Sequence, residues 1–133
     1  MIEFDFQRSS FIVDGVVVGP ATVPDHLRSR AELTVGGIVG QPGWIKAEGE
    51  LDRTGVELAF KNGRFRGAIL WCRIREASDW DDFARAESDR LRAHRALLLR
   101  LFGSDSFEDA TVVVYLAPEP KNLMQLIYLD PKG

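Results

Sequence analysis

The chain has 133 residues, of which 45% are hydrophobic and 28% charged. That length suits a single domain, residues 1–133, able to close its own core, and the apolar share excludes a disordered chain. Seventeen Lys and Arg against twenty Asp and Glu leave a net charge of −3, so nucleic acid, which rewards a basic face, is not an expected partner.

The opening residues Met1-Ile2-Glu3-Phe4-Asp5-Phe6 alternate and carry acids, unlike the basic and then apolar layout of a signal peptide. No apolar run approaches the roughly 20 residues of a membrane-crossing helix. The expectation is therefore a cytoplasmic protein without membrane contact. Ile2 to Arg8 reads as a strand. Phe11 to Val18 reads as a second, with Asp14-Gly15 in its middle as a turn or bulge signal. After Gly19-Pro20, Thr22 is placed to cap a short helix over Pro24 to Ala31, with Pro24 in the first turn, where its missing N–H does no harm. Val23, Leu27 and His26 are its expected anchors.

Four glycines and a proline between Val35 and Gly43 predict a loop. Strands resume at Trp44 to Leu51, which pairs through Asp52-Arg53-Thr54-Gly55 with Val56 to Phe60. Lys61-Asn62-Gly63 then turns into Arg64 to Ile74, Asn-Gly being a strong hairpin signal because both residues tolerate positive φ. A long helix is predicted over Asp79 to Phe102. Ser78 is its expected cap, with Asp81 completing a capping-box-like pair, and Gly103 is its stop. Trp80, Phe83, Ala84, Leu91, Leu98 and Phe102 share one stripe at 100° per residue, which predicts the buried face. Two last strands, Ala110 to Ala117 and Leu123 to Leu129, are joined through Pro118 to Asn122. The order implies an α+β fold: an antiparallel sheet of about six or seven strands, with the long helix packed on one face and a short N-terminal helix.

Chemistry is sparse. The single cysteine, Cys72, excludes an internal disulfide and four-cysteine metal sites; in a central strand it reads as a small core residue, against a reactive thiol near Arg73 and Arg75. No serine lies in a nucleophile-elbow pattern. Gly36-Gly37-Ile38-Val39-Gly40 lacks the Lys-Ser/Thr and the following helix of a phosphate-binding loop. Glu87 and His94 lie two helical turns apart on the apolar stripe, either as an acid/base or metal-binding pair or as buried polar side chains bonded to backbone or to Arg90 and tyrosine hydroxyls. Their backbones are about 10.5 Å apart, too far to share one metal without a third element, and the structural reading is preferred. No catalytic set, metal or cofactor is expected.

Acids cluster at Glu76, Asp79, Asp81 and Asp82 before and within the first turn of the long helix, and at Asp105, Glu108 and Asp109 beyond its end. The second set sits at the negative end of the helix dipole and gains nothing there. These acids are either solvated loop charges or a contact surface for a basic protein partner. Trp44, Trp71, Tyr115 and Tyr128 all fall on predicted strands, and two helices cannot cover both faces of the sheet. These rings are either interface anchors on an open face or core residues, the second reading being at least as strong.

The layout resembles small stand-alone bacterial immunity proteins of polymorphic toxin systems. The matching residues are Trp80, Glu87, His94, Leu97-Leu98 and Gly103, preceded by Val56-Glu57-Leu58-Ala59-Phe60 with the Asn62-Gly63 turn and Arg64-Phe65. Lys121 leading into Leu126-Ile127-Tyr128 follows them. The resemblance implies a cytosolic protein that binds and blocks a cognate toxin without catalysis of its own. A reading from another class is a small acidic secretion chaperone or structural adaptor, homodimeric through its sheet face.

Overall fold

A computed structural model describes residues 1–73, 78–121 and 123–133. In chain order the elements are β1 (Ile2–Asp5), β2 (Ser10–Val13), β3 (Val16–Val18), α1 (Pro24–Leu27), β4 (Leu33–Ile38), β5 (Gln41–Leu51), β6 (Thr54–Lys61) and β7 (Arg64–Cys72). Then follow α2 (Trp80–Phe102), β8 (Phe107–Glu108), β9 (Val112–Pro118) and β10 (Gln125–Pro131). β1 to β3 form a three-stranded sheet, and the other seven strands form a second sheet in the order β4-β5-β6-β7-β10-β9-β8. Every pairing is antiparallel. β4 to β7 are successive hairpin neighbours, and α2 carries the chain away so that β10 returns beside β7.

Period-two alternation divides the large sheet into two unlike faces. Ala47 and Leu51 of β5, Val56, Leu58 and Phe60 of β6, Ala68 and Leu70 of β7, Ile127 and Leu129 of β10, and Val112 and Val114 of β9 all point one way and are buried. They join one apolar cluster with Phe4, Phe11, Val13 and Val18 of the small sheet, Leu27 of α1, and Leu97 and Leu98 of α2. At one end of this cluster Phe102 stacks on Phe107 at 4.6 Å, and Phe4 meets Phe102 edge-on at 4.9 Å. Arg100 adds a hydrogen bond to the Ile2 carbonyl at 2.9 Å. The last turns of α2 are thereby fastened to β1 and β8.

The structure departs from the sequence-based expectations at identifiable points. The N-terminal strands form their own sheet. Phe11 to Val18 is divided at Asp14-Gly15, where both residues take positive φ and make a tight hairpin. β1 ends at Asp5, not Arg8, because the Asp5 carboxylate accepts the Gln7 and Arg8 amides and turns the chain. Thr22 does not cap α1. Its hydroxyl accepts the Gly19 amide and donates to the Val17 carbonyl, and the N-cap position is Val23. The glycine-rich segment Val35 to Gly43 is not a loop but the paired ends of β4 and β5, turning at Val39-Gly40.

α2 is capped by Asp79, whose side chain accepts the Asp82 amide; Ser78 donates both its amide and its hydroxyl to Asp82. Gly103, at φ 72°, ends the helix as anticipated. The buried stripe is shifted, however. Trp80 is 84% exposed and Ala84 is exposed, whereas Ala86, His94, Leu97 and Leu98 are buried. The buried residues of α2 begin at Ala86, so a stripe drawn through its whole length overreaches at the start. The predicted end of β7 at Ile74 lies outside the described residues.

Gly49 and Gly36 give a paired test of the β4–β5 packing. A methyl group on Gly49 would run into the Glu32 carbonyl oxygen, which is backbone and cannot swing away, while one on Gly36 meets nothing within 4 Å. Gly49→Ala should lower stability by roughly 1–3 kcal/mol and Gly36→Ala should change it by less than about 0.5 kcal/mol, as read from urea midpoints.

Candidate functional site

The acids singled out in the sequence sit at the two ends of α2. That helix has 23 residues, which separates the two groups by roughly 33 Å, and the structure does not bring them together. At the start, Asp79 and Asp82 serve the helix cap, while the exposed Asp81 carboxylate makes no ion pair among the described residues. Glu76 lies outside the described residues. Beyond the end, Asp109 accepts the Ser9 hydroxyl at 2.6 Å and the Thr111 and Val112 amides at 2.7 and 2.8 Å. These bonds hold its carboxyl below the usual range against the opposing effect of desolvation. Glu108 pairs with Lys132 at 2.6 Å, and Asp105 is exposed.

Glu87 and His94 face the ends of β7 and β10 and do not bond each other. Nε2 of His94 accepts the Cys72 amide at 2.9 Å, and a Glu87 carboxylate oxygen accepts the Gln125 amide at 3.0 Å. The other Glu87 oxygen pairs with Arg90. Each side chain thus satisfies a backbone N–H at a strand end, and together they pin α2 across two neighbouring strands. His94 is fully buried. Burial, then the Arg90 charge, bring its pKa down to about 4, against a smaller opposing effect from the Gln125 backbone. Burial also pushes the Cys72 thiol up, only partly offset by the Arg90 charge, the reverse of what a reactive thiolate needs. Among the described residues no group of three or more His, Cys, Asp and Glu could hold a metal ion.

The face of the large sheet opposite the core is a different kind of surface. One cross-strand row runs Thr34, Glu48, Glu57, Ile69, Tyr128, Tyr115 from β4 to β9. None of these side chains belongs to the core cluster. Tyr115 and Tyr128 stack with ring centroids 5.3 Å apart, and the Tyr115 hydroxyl donates to Asp130. Trp71 lies flat across Gly55, so that any Cβ there would strike its indole. Lys46 bridges Glu57 at 2.9 Å and Glu48 at 3.3 Å, and the Lys61 ammonium sits over Trp44. Desolvation raises the Tyr128 pKa, with carboxylates Glu119, Asp130 and Glu57 adding to it; desolvation and the Asp130 bond carry Tyr115 to about 12. The result is a half-buried aromatic patch on β7, β9 and β10 that runs into charged side chains on β5 and β6.

All four aromatic residues marked in the sequence lie on this face, but only the alternation of the folded strands shows that they share it. The sequence reading missed Ile69 at its centre, since an isoleucine in a strand reads as core.

No protein-family model matches the sequence, and no curated protein matches it. The fold is similar to a chain of the solved structure of Rhs1-CT in complex with cognate immunity protein RhsI1. The match has a TM-score of 0.59 and 10% identity, and it covers 99% of this chain and 88% of that chain. At that identity the likeness is one of fold, and it extends through both sheets and α2.

His94 makes stability depend on pH with a definite sign. The unfolded chain takes up this proton near pH 6.5 and the folded chain only near pH 4. The contribution is therefore fully present above 6.5 and falls by roughly 3 kcal/mol on descending to pH 4. His94→Gln removes that titration. The variant should be less stable than the parent at pH 7 by roughly 1–3 kcal/mol, and the gap should close progressively between pH 6.5 and 4 in urea unfolding series.

Proposed function

We propose that the chain is a non-enzymatic, immunity-type protein that binds a cognate bacterial toxin in the cytoplasm and covers its active surface. The observation that carries this reading is the fold shared along 99% of the chain with a chain of the Rhs1-CT complex. The chain's own chemistry favours the inhibitor's side of such a pair. Its ionisable groups Glu87 and His94 are occupied by strand-end amides, and Trp44, Trp71, Tyr115 and Tyr128 share an outward sheet face.

In this proposal the open sheet face is the contact centre, with Ile69, Trp71, Tyr115 and Tyr128 at its middle. Asp79, Asp81 and Asp82 at one end of α2, with Glu76 shortly before them in sequence, and Asp105, Glu108 and Asp109 at the other, add the negative field that steers a basic partner. Glu87 and His94 keep their scaffolding role.

Co-expression with the polypeptide encoded next to it tests the reading: the pair should co-purify as a stoichiometric complex and the growth defect caused by that polypeptide should disappear. A neighbour that is harmless alone, or that does not bind, overturns it. Ile69→Arg should cost about 2 kcal/mol or more of affinity. Asp81→Lys and Asp105→Lys should slow association at low salt and leave dissociation unchanged, as separated by surface plasmon resonance.

A further inference from the structure

The large sheet has two free edges of unequal character. β8 is two residues long, which is one way of blunting an edge. β4 is six residues long, and from Leu33 to Gly43 the chain carries no charged residue although 28% of the whole chain is charged. Charges and prolines are the usual guards of an edge strand; here the guard amounts to one register shift, at Gly37/Ile38.

Among the described residues, the ladder bonds of Thr34 to Ile38 go to β5, and no loop or side chain bonds their outer backbone groups. Thr34, Gly36 and Gly37 are exposed, and Val39 at the hairpin tip is wholly exposed. Above Gly36 a Cβ would meet nothing within 4 Å, and above Gly37 only the Trp44 carbonyl at 3.8 Å.

We infer that β4 is a strand-addition site, which receives an extended segment of the protein partner as an eighth strand of the large sheet. The inference rests on the partner-binding reading above and deepens it. Main-chain bonds to an edge supply affinity without regard to side chain, and the side-chain positions supply selectivity. The glycines decide the occupant. A second copy paired antiparallel about Gly36-Gly37 would set these glycines against each other, and the central cross-strand side-chain pairs, the unit of sheet stabilisation, would be missing. A segment with aromatic or β-branched residues opposite these glycines covers them on both faces. Position agrees with this choice. Thr34 stands in the same cross-strand row as Ile69 and Tyr128, so an added strand continues the open face and one partner touches both.

The test uses the full chain and the purified polypeptide encoded next to it. Amide hydrogen exchange on the complex should show new protection at Val35 to Ile38, and the double variant Thr34→Lys, Gly36→Lys should bind at least tenfold more weakly with an unchanged melting temperature. Gly36→Ala, which adds no charge, should bind within threefold of the parent. Tight binding with no protection at Val35 to Ile38 and full affinity in the lysine variant overturns the strand-addition site while leaving the partner-binding reading intact. Protection of the same amides in the isolated chain at rising concentration, with a dimer by light scattering, assigns the edge to a second copy and also overturns it. Failure of the parent chain to bind removes both readings together.

Discussion

Every strand of the large sheet sends alternate side chains in opposite directions, and only one of those directions has an apolar cover. The small sheet, α1 and the second half of α2 all lie on the side of Leu58, Leu70 and Ile127. Among the described residues, no core-cluster side chain lies on the other side. The residues there are accordingly of a mixed kind: Tyr115 on Tyr128, Trp71 on Gly55, Lys46 between two glutamates. Each such contact shields apolar area from water while leaving a ring face or a charge available. The surface can thus stay uncovered while keeping partly exposed rings within reach of solvent.

The junction of α2 with β7 and β10 solves a different problem. A strand that ends under a helix leaves backbone amides without a ladder partner, and burying them unbonded costs about 1–3 kcal/mol each. Glu87 and His94 meet the amides of Gln125 and Cys72 at the right heights because they are two helical turns apart and the two strands are neighbours. Their spacing, which resembles that of a two-point ligand set, is the spacing of two adjacent strand ends. Arg90, beside both, balances the Glu87 charge and helps keep His94 neutral.

Much of this was legible in the chain itself. The Asn62-Gly63 hairpin, the long helix ended by Gly103, and the antiparallel character follow from local rules that act over a few residues. What escaped depends on partners far along the chain. Glycines at 36, 37, 40 and 43 argue locally for a loop, yet β5 runs out to meet them and pairing with it outweighs their conformational freedom. Trp80 belongs to the apolar stripe by its angle, but its indole is left outside, 84% exposed. The acids at the ends of α2 look alike in sequence; in space Asp109 is spent on two amides and a serine, and Asp81 stands in water. The open face itself is a property of register, and no single strand reveals it.

The placement of the indoles has an optical corollary. The chain has three tryptophans, and Trp44, Trp71 and Trp80 all lie outside the apolar cluster, two on the uncovered sheet face and one at the start of α2. Intrinsic emission from this protein is therefore a signal from its periphery. It is sensitive to whatever settles on the outer strands and comparatively blind to the interior, where phenylalanines alone supply the aromatic packing.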